Sequence, residues 1–230
     1  MSDSKVDLVQ KLFHGTGDSY GRIVHLTTFG QDNVWKKRLM ARMNEPRQIL
    51  DLACGTGIFT FAMRERWPEC HVTGVELREE YLKEAREHAR KVGDTQVEFV
   101  LSDAQLFHSD KRFDAITSCY IPKYVDLSIL VPNMVEMLAP GGWMLLQDFA
   151  YPSSDAARDQ WERHFQRLLD DAARRFPEYV TMFTELPGVI RATRWIEETV
   201  EQMKRAGLVD VEVEDLTFGT AATVLGRKPA

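Results

Sequence analysis

From Gln48 to Phe149 short apolar runs alternate with amphipathic stretches in a regular order, and this alternation restricts the chain to one class of fold. The runs at 48–53, 71–76, 96–101, 113–119 and 142–149 predict strands, and the stretches at 57–66, 79–92 and 127–138 predict helices. Buried strands separated by crossover helices are what a parallel sheet covered on both faces looks like in sequence. Gly93, just after Lys91 and Val92, supplies a stop for the second helix, and Pro140-Gly141-Gly142 punctuates the turn into the fifth strand.

The flanks follow other rhythms. Residues 5–45 read as a polar helical preface, with Trp35, Leu39 and Met43 at i, i+4, i+8 marking one buried face. Residues 150–190 read as an Arg-rich helix with Trp161, Phe165, Leu168, Leu169 and Ala172 on one face, then a loop containing Pro and Phe. A helix at 195–206, stopped by Gly207, and strands near 209–216 and 220–227 close the chain. No repeat or Gly/Ser linker divides these parts. The expected organisation over 1–230 is a single domain: a preface or cap at 1–45, a core at 46–149, a lid insertion at 150–194 between strands 5 and 6, and a closing helix and strand pair at 195–230. Its fold class is α/β, a seven-stranded, mostly parallel, doubly wound sheet.

Composition narrows the partners. With 44% hydrophobic and 28% charged residues, 230 residues suffice for a sizeable core, and a net charge of -6 gives no general attraction for nucleic acid. Cys54, Cys70 and Cys119 are an odd count without C-x-x-C spacing, so neither a disulfide framework nor a metal site is expected, and a cytoplasmic setting fits. No export signal and no apolar run of about 18 residues is read, which leaves at most peripheral membrane contact. A homodimer is the generic oligomeric expectation.

The chemistry concentrates at three strand ends. In Ile49-Leu50-Asp51-Leu52-Ala53-Cys54-Gly55-Thr56-Gly57 an apolar strand runs into a glycine turn before a helix, which lets a ligand approach the backbone. A dinucleotide fingerprint requires a third glycine where Thr60 stands, and the charge of Asp51 disfavours a pyrophosphate while favouring a cationic amino or sulfonium group. Glu76, at the end of the next strand, is placed to accept both hydroxyls of a ribose. Asp103, after the third strand, is placed to accept from an exocyclic amine, with the Ala104 amide beside it for a ring nitrogen. Each acid also has an ordinary structural use: Asp51 as a helix cap, Glu76 as a helix start, Asp103 in an Asx turn.

With these residues in place the chain resembles the S-adenosylmethionine-dependent methyltransferases of the Rossmann-like class. The turn at 49–57, Glu76, Ser102-Asp103-Ala104 and Leu138-Ala139-Pro140-Gly141-Gly142 look like that family's ordered motifs. The resemblance implies S-adenosylmethionine as cofactor, held by Asp51, Ala53, Gly55, Thr56, Gly57, Glu76, Leu77, Asp103, Ala104 and Cys119. It also implies a last strand running antiparallel between two others.

Phe13, Tyr20, Leu26, Phe29, Gly30, Trp35 and Lys36 fall on the N-terminal pattern of the ubiquinone/menaquinone C-methyltransferase family. Ala206-Gly207-Leu208 and Leu216-Thr217-Phe218-Gly219 through Gly226-Arg227-Lys228 resemble its closing segments. The family's Tyr-Asp reads Tyr20-Gly21, its Asn in the same segment reads Val24, and its Phe-Gly-Leu-Arg-Asn reads Tyr120-Ile121-Pro122-Lys123-Tyr124. Lys123 keeps the charge of the family's Arg but loses the planar fork. The resemblance implies C-methylation of a prenylated quinol or related aromatic ring, with Tyr20 over the site and Lys123 near the acceptor oxygen as catalytic candidates. Taken alone, Tyr20 only covers the cofactor and Lys123 is a solvated loop charge. His14, His25, His108 and His164 are the histidines within reach of an acceptor pocket, and Phe149, Tyr151 and the insertion's aromatics are material for a lid or for plain core packing. Two other readings stand beside this one: methylation of a soluble acceptor on O or N, and a cofactor-binding protein that does not methylate.

Overall fold

The computed structural model describes residues 3–13, 16 and 19–230. Its centre is a seven-stranded sheet in the order β3-β2-β1-β4-β5-β7-β6. The strands are β1 (Gln48–Leu52), β2 (His71–Glu76), β3 (Val97–Leu101), β4 (Phe113–Cys119), β5 (Leu138–Phe149), β6 (Val209–Leu216) and β7 (Ala221–Arg227). The first five run parallel, and β7 lies antiparallel between β5 and β6, as the resemblance implies.

Alternation along each strand divides the core in two. Leu50, Leu52, Ile116, Leu146 and Val224 meet α6 (Leu127–Met137) and α9 (Trp195–Arg205) on one face. Ile49, Val72, Ala115, Leu145 and Leu225 meet α3 (Gln31–Ala41) and α4 (Ile58–Arg66) on the other. Trp35, Leu39 and Met43 are all buried, so the stripe expected in the preface is real. A third cluster joins α1 (Asp3–Phe13) and α2 (Tyr20–Thr27) to α7 (Asp155–Arg175) through Leu12, Ile23, Trp161 and Phe165. The remaining helix on the cofactor side, α5 (Glu79–Val92), ends at Gly93 with φ +69°, the left-handed cap its sequence predicts.

Two expectations need correction. The loop expected after α7 is mostly a helix, α8 (Val180–Ala192), even though it contains Pro187. Met182, Phe183, Leu186 and Ile190 recur at helical spacing and all are buried, so tertiary packing outweighs the hydrogen bond that proline removes. The second concerns Pro140-Gly141-Gly142, which lies inside β5 rather than before it: Leu138 already pairs with Phe113, and the register shifts before Ala115 meets Trp143. Gly141, at φ +76°, takes up that irregularity.

Candidate active site

The tips of β1, β2 and β4 and the loop after β3 open into a cleft of about 960 Å³, counted out to its mouth, roofed by Phe13, Tyr20 and Tyr124. Its floor begins at Asp51, 2% exposed in β1. Thr60, on the first turn of α4, donates its hydroxyl to Asp51 Oδ2 at 2.6 Å. The residue that breaks the dinucleotide fingerprint is therefore the one that positions the acid. Burial pushes the Asp51 carboxyl up to about 7, against the Thr60 hydrogen bond and the nearby Lys36 ammonium, which pull it down.

Beyond Asp51 the backbone turns left-handed at Ala53 (φ +56°) and Gly55 (φ +59°). A Cβ on Gly55 would stand between the rings of Tyr20 and Tyr81, 4.0 Å from each, inside the cleft. The Gly55 N–H donates to Glu76 Oε2 at 3.0 Å, and the Arg78 N–H donates to Glu76 Oε1 at 3.0 Å. Both Glu76 oxygens are thus fixed by backbone donors on a residue that lines the cleft. Burial raises the Glu76 carboxyl, and the backbone donors of Arg78, Gly55 and Leu77 oppose that rise.

Of the residues assigned to the cofactor, Asp51, Ala53, Gly55, Thr56, Glu76, Leu77, Ala104 and Cys119 line this cleft together. Gly57 and Asp103 are not in its wall. Gly57 shapes the turn at φ +85°, where a Cβ would come within 2.6 Å of the Phe61 ring. Asp103 Oδ1 accepts the Gln105 N–H at 2.9 Å, the Asx turn that its sequence also allows. Burial pushes the Cys119 thiol far up, so it is a neutral wall group.

Tyr20 lies in the roof, its ring centroid 5.6 Å from Tyr81 and 6.1 Å from Phe13. Burial, with Tyr81 next, raises its phenol well above the usual value, so at neutral pH it is a donor and not a base. The Tyr81 hydroxyl shares a 2.5 Å hydrogen bond with Thr16, and the Tyr179 hydroxyl donates to the Thr16 carbonyl, which ties the roof to the body.

Lys123 is no solvated loop charge. It is buried in the short 3-10 turn Pro122–Tyr124, lines a second cavity that shares Phe13, Tyr20, Tyr120 and Tyr124 with the cleft, and donates to Asp148 Oδ1 at 2.5 Å and the Tyr120 carbonyl at 2.7 Å. Two of its three ammonium donors are so taken. Its nitrogen lies 4.4 Å from the Tyr124 ring centroid. Burial lowers the Lys123 pKa and raises that of Asp148, while their pairing opposes both changes.

A second buried pair went unread in the sequence. Lys36 donates to Asp32 Oδ2 at 2.8 Å, Tyr120 donates its hydroxyl to Asp32 Oδ1, and Lys36 and Tyr120 both line the cleft. The i, i+4 spacing of Asp32 and Lys36 was the available signal, but on a helix such spacing usually marks an exposed pair. Asp148 had a similar one, an acid ending the apolar run of β5. None of the described histidines lines the cleft: His25 and His108 are exposed, and His164 stacks on Phe29 at 3.9 Å. His14 lies outside the described residues.

Comparison with known proteins gives concordant results. The model of the ubiE/COQ5 methyltransferase family matches residues 1–228. A demethylmenaquinone methyltransferase of Thermus thermophilus is 31% identical over 222 residues, covering 95% of this chain and 100% of its own. One of Anoxybacillus flavithermus is 28% identical over 234 residues, covering 100% and 99%. Among solved structures, the plantazolicin methyltransferase BpumL in complex with SAH superposes with a TM-score of 0.68 at 14% identity, over 98% of this chain and 95% of that one. At that identity the likeness concerns the fold.

Proposed function

The chain belongs to the ubiE/COQ5 methyltransferase family, and from that premise we propose that it methylates a ring carbon of a prenylated quinol or a related aromatic ring. It is an S-adenosylmethionine-dependent methyltransferase. The observation that carries the substrate reading is the aromatic cavity beside the cleft, with the buried Lys123 ammonium in its wall.

The residues present fit the cofactor. Glu76 lines the cleft as an acceptor for ribose hydroxyls, and Gly55 brings bare backbone to the wall beside Tyr20 and Tyr81. Asp51 supplies the anionic end for an amino or sulfonium group, and Ala53, Thr56 and Leu77 bring backbone and apolar surface to the ligand. Ala104 brings its backbone to the cleft, Asp103 closes its own turn outside the wall, and Gly57 holds the glycine turn. When bound, the cofactor supplies an electrophilic methyl group on a sulfonium.

This chain's own residues align, exclude water and handle charge. Tyr20, Tyr124 and Phe13 cover the joint between cleft and cavity. C-methylation of a hydroquinone is helped by an ionised neighbouring oxygen. The Lys123 ammonium in the cavity wall would stabilise such an oxygen through its charge, and Tyr20, protonated at neutral pH, has a hydroxyl to donate. The second reading, a soluble O or N acceptor, is favoured by the loss of the family's Asp and Asn at Gly21 and Val24. Among the described residues no helix is long and apolar enough to cross a membrane. The three free cysteines fit a reducing, cytoplasmic setting.

Incubation with S-adenosylmethionine and 1,4-naphthoquinol, followed by mass spectrometry, tests the reaction. Multiple turnovers giving a C-methylated ring are expected and would also exclude a purely binding role. Turnover confined to O- or N-acceptors would replace the quinol reading with the second one.

A further inference from the structure

Around the joint of cleft and acceptor cavity three phenols are paired within the protein. Tyr81 shares a hydrogen bond with Thr16, Tyr120 donates to Asp32, and Tyr179 donates to the Thr16 carbonyl. Tyr124 differs. It is 2% exposed and lines both the cleft and the cavity, yet among the described residues its hydroxyl has no hydrogen-bond partner. The other buried side-chain polar atoms in that condition, on Gln96, Gln105, Thr117, Gln147 and Thr199, belong to residues outside both walls.

Folding gives no reason for this hydroxyl. The Tyr124 ring meets Phe13 edge-on at 6.2 Å and belongs to the buried cluster of Leu12 and Ile23, a place that phenylalanine would fill without burying an unmade hydrogen bond. The backbone is fixed independently, since the Tyr124 N–H donates to the Ile121 carbonyl at 2.8 Å in the Pro122–Tyr124 turn. The residue stands where the resemblance puts the family's Asn, so the phenol is this chain's own departure. Burial, with the Asp148 charge next, raises the phenol well above its usual value, and at neutral pH the proton stays on it. The Lys123 ammonium lies 4.4 Å from the ring centroid; a cation near the ring draws electron density from it and makes the O–H a better donor.

We propose that the Tyr124 hydroxyl donates a hydrogen bond to a ring oxygen of the acceptor and thereby selects rings that carry one. The proposal rests on the quinol reading above and deepens it by naming the group that recognises the acceptor's oxygen. A flat ring suits the aromatic and aliphatic wall, and its oxygen supplies the missing partner. A lone water suits the place less, because it requires several polar partners and this wall is mostly Phe, Tyr, Ile, Val, Met and Leu side chains. No proton is transferred: Tyr124 holds the oxygen, and negative charge developing there strengthens the bond.

Tyr124→Phe removes the hydroxyl and keeps the ring. Because no partner is lost in the free protein, its melting temperature should equal or exceed that of wild type; a clear fall means that the hydroxyl is already satisfied inside the protein and overturns the proposal. Fluorescence titration of the protein loaded with S-adenosylhomocysteine, using 1-naphthol and naphthalene, reads recognition without turnover. Wild type should prefer 1-naphthol, and the variant should lose about tenfold of that preference, with naphthalene unaffected. A preference unchanged by the substitution, or absent from wild type, overturns the proposal. With 1,4-naphthoquinol as acceptor, kcat/KM should fall about tenfold or more in the variant. A wild type that does not methylate this ring sinks the quinol reading separately, and the titration then decides the role of Tyr124.

Discussion

Glu76, ending β2, and Lys123, in the 3-10 turn after β4, are both buried charges, yet they are satisfied in opposite ways. Glu76 is held by two backbone N–H groups and lines the cleft. Lys123 is neutralised by a side chain, Asp148, in a pair whose partners are 2% and 0% exposed. Lys36 and Asp32 repeat the second arrangement, with Lys36 5.8 Å and Lys123 5.9 Å from the Tyr120 ring centre. The cofactor half of the site thus presents polarity fixed by backbone and aimed at a ligand, whereas the acceptor half consumes its charge internally and presents rings. A polar, charged ligand suits the first and a flat apolar one the second.

The sharpest way to break this contrast is at the pair. Lys123→Met leaves Asp148 buried without its cation and is expected to cost about 3–5 kcal/mol in urea denaturation, with Lys123→Met/Asp148→Leu recovering most of it. If the double variant refolds stably and methylates at wild-type rate, Lys123 has no role in catalysis. Glu76→Ala should have the next largest effect, this time on binding. Losing two charge-assisted hydrogen bonds, about 3 kcal/mol together, weakens S-adenosylhomocysteine roughly 100-fold by calorimetry while the fold survives. Undiminished affinity would end the claim that this half recognises a ribose.

A smaller effect sharpens the contrast through pH. Because the native Asp51 carboxyl titrates near 7, above its unfolded value, its contribution to stability is present below about pH 4 and is lost as pH rises toward 7. Ionised Asp51 favours a cationic ligand, so S-adenosylhomocysteine affinity should rise over the same approach to pH 7, and Asp51→Asn should flatten that rise. A pH profile identical in the variant contradicts the assignment. The smallest change is expected from Gly57→Ala, destabilising by about 1–2 kcal/mol because φ is +85° and the new Cβ meets Phe61. Thermal melting measures it.

What could be read in advance divides along the same line. The sheet, its crossover helices and the glycine turn come from contiguous runs, so Asp51, Gly55 and Glu76 were visible as a set. So was the departure at Thr60, although its use as the donor to Asp51 was not, since that bond spans nine residues and a turn. The helix α8 was missed because Pro187 is a strong local signal against it, and the packing that overrides proline comes from α1 and α7. Asp32 and Asp148 carry no motif; they became site residues only when α3, β5 and the segment after β4 were brought together.

Period and composition alone determined the α/β class, the strand positions and the acids at the strand tips, because alternation and glycine placement act over a few residues. Only the tertiary structure decided that Lys123 is buried and paired, that Asp103 turns into its own loop, and that an aromatic cavity lies beside the cofactor cleft. The reason is that burial and charge pairing are properties of segments distant in the chain. Their energies depend on which partner arrives, and no local pattern encodes that.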